Sequence, residues 1–262
     1  MDSKVRHDKW RAQEYASVSD MQWRQAMEAL RRCDYSESDA ILDVGSGDGK
    51  ITRYVAEHLS HGKVIGIDLV KDMVRFAQTH HADQANLSFL QMSADEIAFD
   101  QRFDIILSFS CLHWVAAQAK IWHDFYQHLT SKGKVVCGFQ VDHQHFWDTV
   151  FEHQQAPQWQ SYFLNFQDPY HHFTLTEMVG FIEEAGFYLP RVDEIHHVEY
   201  FETQDNLTAF FQSWVPQFRH LGSSVRGEFV KQVMESYMSK IHYKMRERAG
   251  VRIKRYIIEA EK

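Results

Sequence analysis

Between residues 40 and 141, short apolar runs alternate with segments whose apolar positions recur at helical spacing. That alternation predicts an α/β architecture in which crossover helices cover a parallel sheet. The runs fall at 40–44, 64–68, 87–91, 103–109 and 134–140, each of strand length and rich in Val, Ile, Leu and Phe, which predicts five strands. Between them Ile51, Tyr54 and Val55, then Val70, Met73, Val74 and Ala77, then Ile121, Trp122, Phe125 and Leu129, supply the apolar stripe with which each helix lies on the sheet. Ahead of the first strand, Trp23, Ala26, Met27 and Leu30 mark an N-terminal helix behind Ser19 or Asp20 as its N-cap.

After residue 141 the texture turns to His, Gln and aromatic residues. Leu175, Met178, Val179 and Ile182 predict a helix closed by Gly186. Residues 191–201 alternate as a strand. Leu207, Phe210, Phe211 and Trp214 return to helical spacing until Pro216 stops them. A helix over about 226–246 and a final strand over 251–259 complete the reading. Four segments result: 1–37 as an N-terminal helical segment contributing to an acceptor site, 38–141 as the α/β core, 142–250 as lid helices with a late strand, and 251–262 as the last strand of the core sheet.

Composition narrows the classes. A chain of 262 residues that is 44% hydrophobic buries one substantial core, and a formal charge of −8 without a run of Lys and Arg argues against a nucleic-acid partner. No stretch approaches the roughly 18 apolar residues of a membrane span, so no membrane partner is expected. Three scattered cysteines, Cys33, Cys111 and Cys137, fit reduced thiols in a cytoplasmic protein.

The most informative segment is Ile41-Leu42-Asp43-Val44-Gly45-Ser46-Gly47-Asp48-Gly49-Lys50, a strand running into a glycine turn and a helix. A dinucleotide fold would carry G-x-G-x-x-G, whereas the spacing here is G-x-G-x-G with Asp43 just ahead of it. An acid at that point repels a pyrophosphate and favours a cationic group. One turn of the fold later, Asp68 ends the second strand, where a carboxylate accepts ribose hydroxyls, and Leu69 follows it. The third strand leads into Ser93-Ala94-Asp95, an adenine-edge candidate, and Ser110 follows the fourth.

Together these residues resemble the class I S-adenosylmethionine-dependent methyltransferases over roughly 38–141. The resemblance implies a Rossmann-like seven-stranded sheet whose last strand is antiparallel, S-adenosylmethionine as cofactor, and cofactor contacts from Asp43, Gly45, Ser46, Gly47, Asp68, Leu69, Ser93, Ala94, Asp95 and Ser110. Ser93 departs from relatives that carry Asp there.

For the acceptor, the segment Ser110-Cys111-Leu112-His113-Trp114-Val115 lacks the Asn/Asp-Pro-Pro-aromatic pattern of nucleic-acid and protein amide methyltransferases. It is similar instead to small-molecule carboxyl methyltransferases of the juvenile hormone acid and trans-aconitate kind. Tyr15 with Gln22 seven residues later, Asp168-Pro169-Tyr170-His171 and the 211–218 stretch add to that likeness. It implies that Gln22 and Trp114 hold a substrate carboxylate through amide and indole N–H groups. The expected activity is O-methylation of a small or medium, partly apolar organic acid, already ionised at neutral pH. The alternatives are an amine, a phenol with His113 as base, a carrier-protein-linked acid, or a non-catalytic regulator that binds the cofactor. His143 and His145 on one strand face, with His171 and His172 near them in sequence, invite a metal, and their lack of Cys or carboxylate companions at familiar spacing argues against one. Phe146, Trp147, Phe151, Trp159, Tyr162 and Phe163 are read as a lid-like aromatic region.

Overall fold

A computed structural model describes residues 20–143, 145–242 and 248–262, without the side chains of 140–143 and 190. The order of elements is α1 (Asp20–Leu30), β1 (Ala40–Val44), α2 (Lys50–Glu57), β2 (Lys63–Asp68), α3 (Lys71–His80), β3 (Leu87–Gln91), β4 (Phe103–Phe109), α4 (Gln118–His128) and β5 (Leu129–His143). Then follow α5 (Phe146–Gln155), α6 (Leu175–Glu184), β6 (Tyr188–Phe201), α7 (Gln204–Trp214), α8 (Pro216–His220), α9 (Ser223–Lys240) and β7 (Ala249–Glu261).

The strands form one seven-stranded sheet in the order β3-β2-β1-β4-β5-β7-β6. Strands β3, β2, β1, β4 and β5 pair in parallel. β7 runs against β5: the Lys262 N–H donates to the Gly133 carbonyl (3.0 Å), Lys134 pairs with Glu259 (2.9 Å), and the Phe139 and Tyr256 rings lie 5.8 Å apart. The last strand is therefore antiparallel, as expected. β1 and β4 sit mid-sheet with both faces covered, so Ile41, Leu42, Val44, Ile106 and Leu107 are all buried, and this is why they read as unbroken apolar runs.

Chain packing divides the molecule into two compact units. The first holds the chain up to Phe139, Phe173–Asp193 and Tyr256–Lys262; the second holds Gln140–His172 and Glu194–Arg255. Strands β5, β6 and β7 run through both. Residues 173–193, expected with the lid helices, fall in the first unit because Phe187 packs edge-on against Trp122 (5.8 Å) and Tyr126 (5.2 Å).

Boundaries shifted where periodicity was weak. β5 begins at Leu129, five residues before the expected start, since its first residues pair across an irregularity between Phe103 and Ile105. Pro216 stops α7 as expected, with Val215 before it in an extended conformation, and it also opens α8 at its first position, where a missing N–H costs nothing. His145 is not on a strand face: its φ is 60° and it precedes α5 as the N-cap residue. Among the described residues no three His, Cys, Asp or Glu side chains come together as metal ligands, and no helix is long and apolar enough to cross a membrane.

Candidate active site

The site grows from the β1–α2 turn in the first unit. Gly45, Gly47 and Gly49 all adopt positive φ, at 78°, 55° and 79°, a region that side chains with a Cβ rarely enter. Gly45 is doubly constrained, because a Cβ there would lie 2.4 Å from Cys111 Sγ at the end of β4. The turn hangs on β2. The Gly45 and Ser46 N–H groups donate to the Ile67 carbonyl (2.8 and 3.0 Å), and the Gly47 N–H donates to Asp68 Oδ2 (2.9 Å). Asp68 Oδ1 accepts the Val70 N–H (2.8 Å). Asp68 is thus held rigidly between the turn and α3, with lone pairs left for further donors.

Asp43 is only 2% exposed and accepts the Thr52 hydroxyl at 2.6 Å. Burial pushes its carboxyl up to about 7, helped by the negative charges of Asp68 and Asp48 and opposed by the Thr52 bond. Burial also raises the Asp68 carboxyl above its ordinary value. Acids gathered around one turn, with Asp43 held close to neutral by burial and by the charges of Asp68 and Asp48, favour a cation over a phosphate there. The Cys111 thiol feels the same field: burial, Asp68 and Asp43 push it up to about 12, so it stays protonated.

The remaining predicted cofactor residues lie at the carboxyl ends of the neighbouring strands. The Leu69 carbonyl accepts the Gln91 amide (3.1 Å). The Met92 N–H donates to the Asp68 carbonyl (3.1 Å), which ties the β3 loop to the end of β2. In that loop the Ser93 hydroxyl donates to Asp95 Oδ1, Ala94 is buried, and Lys120 from α4 reaches the Asp95 carbonyl (2.5 Å). Ser110 has a φ of 54°, an uncommon conformation for a residue other than glycine and one that clusters at functional sites. Its N–H donates to the Gly138 carbonyl (2.9 Å).

The acceptor candidates sit on two elements of the same unit. Gln22 lies on α1, which is fastened to α2 by the Asp20–Lys50 ion pair (3.2 Å) and by Trp23 edge-on to Tyr54 (5.4 Å). The Gln22 Oε1 is buried with no hydrogen-bond partner among the described residues. His113 and Trp114 share a short 3-10 turn, Leu112–Trp114, straight after β4; His113 is 7% exposed and its ring lies 5.6 Å from that of Trp114. Tyr15 lies outside the described residues. Thr52, Asp48 and the Cys111–Gly45 contact were not read from sequence; each depends on an approach between distant segments that leaves no local pattern.

The donor set fits S-adenosylmethionine. Its ammonium and sulfonium are cationic, which the acids around the turn favour. The Ser46 hydroxyl is buried in the turn without a partner among the described residues, and at Gly45 and Gly66 an added Cβ would collide with neighbours, so the turn keeps a cradle that side chains would fill.

Comparisons agree with this geometry. Residues 41–133 match a methyltransferase domain family. The methyltransferase-named protein 235L of Invertebrate iridescent virus 6 is 23% identical over 88% of this chain and 86% of its own length. The juvenile hormone acid O-methyltransferase of Drosophila melanogaster is 35% identical over 42% of this chain and 35% of that enzyme. Among solved structures, the Haemonchus contortus phosphoethanolamine N-methyltransferase 2 in complex with S-adenosyl-L-methionine superposes with a TM-score of 0.57 at 19% identity, covering 92% of this chain and 52% of that one. Turn, acidic surroundings, strand order and relatives agree on a class I S-adenosylmethionine-dependent methyltransferase domain, matched over residues 41–133.

Proposed function

We propose that the methyl acceptor is the carboxylate of a small or medium, partly apolar organic acid. The observation that carries this reading is the chemistry of the acceptor side. Residues 108–118 contain no carboxylate and carry His113 and Trp114 in the turn that follows β4, while the Gln22 amide has a buried end without a partner among the described residues, on a helix fastened to α2. Rotating an amide by 180° exchanges its oxygen and its N–H₂, so that end meets an anion as a donor once one is bound. Neutral donors of this kind orient a carboxylate without neutralising it. S-adenosylmethionine supplies an electrophilic methyl group on sulfur. Because a carboxylate is already ionised at neutral pH, the chain's part is to position and desolvate it. No base is required. The likeness to the Drosophila melanogaster juvenile hormone acid O-methyltransferase supports an acid as acceptor.

A second reading follows from His113, buried beside Trp114: as a base it would serve a phenol or an amine. The test is S-adenosylhomocysteine release with a panel of aliphatic, isoprenoid and polycarboxylic acids beside amines and phenols. Turnover confined to acids is expected, and turnover confined to phenols or amines overturns the carboxylate reading. Asp68→Ala should weaken cofactor binding. Gln22→Ala and Trp114→Phe should raise the acceptor KM, each lost hydrogen bond to a charged group being worth about 1.5–3 kcal/mol. Unchanged kinetics in both acceptor variants would remove Gln22 and Trp114 from the site.

A further inference from the structure

The first half of the glycine turn is held by β2, through Ile67 and Asp68. Its second half is held from elsewhere. His81, the residue that ends α3, approaches the Asp48 carbonyl with its Nε2 at 3.0 Å. A carbonyl only accepts, so Nε2 carries the proton and donates. The ring also occupies the space beside Gly49: a Cβ on Gly49 would lie 2.8 Å from the His81 Cδ2 and 2.6 Å from Phe89. At this point the chain enters α2 through Gly49, which has no side-chain cap. The Gly49 N–H donates to the Ser46 carbonyl (3.0 Å) and the Lys50 N–H to Asp48 Oδ1 (3.1 Å). The Asp48–Gly49 peptide is therefore the pivot between the turn and the helix.

The same short segment reaches α2 twice more. Asp83 forms a two-pronged pair with Arg53 (2.5 and 3.0 Å), and the Asn86 amide donates to the Ala56 and Leu59 carbonyls, both at 3.0 Å. Of these three ties only that of His81 touches the glycine turn.

We propose that His81 is a positioning residue for the cofactor: by fixing the Asp48–Gly49 peptide plane it holds the second half of the turn in its binding-competent form. This rests on the turn being the S-adenosylmethionine site. His81 contacts neither reacting atom, so its loss should appear in cofactor affinity and not in kcat at saturating cofactor.

The test uses His81→Phe, which keeps an aromatic ring and removes the donor, His81→Gln, which restores an N–H near the same reach, and Asp68→Ala as a control for the site itself. Calorimetry with S-adenosylhomocysteine should give a dissociation constant about five- to tenfold higher for His81→Phe, the loss expected of one hydrogen bond, with recovery in His81→Gln. Hydrogen exchange at the Gly49 and Lys50 amides should quicken in His81→Phe and return towards wild type in His81→Gln. Wild-type affinity in His81→Phe alongside weakened binding in Asp68→Ala overturns the role of His81 while leaving the site in place. Equal weakening in His81→Phe and His81→Gln overturns it as well, since ring shape would then matter and the donor would not. Wild-type affinity in both His81→Phe and Asp68→Ala overturns the reading of the turn itself.

Discussion

At the scale of single residues, Asp43 shows how an acid serves a turn. Buried and bonded to Thr52, it holds the end of β1 against α2, and its carboxyl titrates near 7 in the folded chain against an ordinary 3.8. Between those two values the folded chain keeps a proton that the unfolded chain has released. Asp43's contribution to stability is therefore fully present below about 4 and is lost as the pH rises to about 7. Asp43→Asn retains an oxygen to accept the Thr52 hydroxyl and cannot ionise. Its stability, read from denaturant midpoints across that window, should fall less with rising pH than that of the wild type. An identical slope in the two proteins would show that Asp43 does not titrate there.

At the scale of elements, caps decide where helices start when the apolar stripe alone leaves several choices. α6 opens with a complete capping box: Thr174 Oγ1 accepts the Glu177 N–H (3.2 Å), and Glu177 Oε2 accepts the Thr174 N–H (2.8 Å). Thr174→Ala leaves the Glu177 N–H to water and should cost about 1 kcal/mol, seen as a lower melting temperature with cofactor affinity unchanged. α2 has no such cap; its start is fixed instead by glycine conformation and by His81. That contrast explains why cofactor-side helix geometry depends on tertiary contacts, whereas α6 carries its own start signal.

At the scale of the whole molecule, each compact unit has its own core. In the first, Ile41, Leu42, Ile106, Trp122 and Phe125 are fully buried. In the second, Phe146 stacks on Phe211 with centroids 3.6 Å apart and planes 6° from parallel, and it meets Tyr237 edge-on at 5.3 Å. The aromatic residues read as lid-like are thus largely the packing of this second core. Phe146→Ala should cost about 3–5 kcal/mol by the cavity it leaves. Hydrogen exchange should locate that loss in α5, α7 and α9, with the amides of β1, β2 and β4 keeping their protection; equal loss in both sets would mean that the two cores unfold together.

The sequence by itself determined β1, β3 and β4 to the residue, the glycine turn, the acid at the end of β2 and hence the cofactor. The burial of β1 and β4 on both faces and the positive-φ glycines are local necessities that leave local patterns, and the short apolar run of β3 is legible although that strand lies at the sheet edge with only Phe89 buried. Tertiary structure alone decided what depends on contacts between distant segments: that Cys111 forbids a side chain at Gly45, that Thr52 occupies Asp43, that residues 173–193 pack with the first unit, and that His81 reaches Asp48 across 33 residues. A hydrogen bond or close approach of that kind imposes no periodicity on the residues between its ends, so it becomes visible only once the chain has folded.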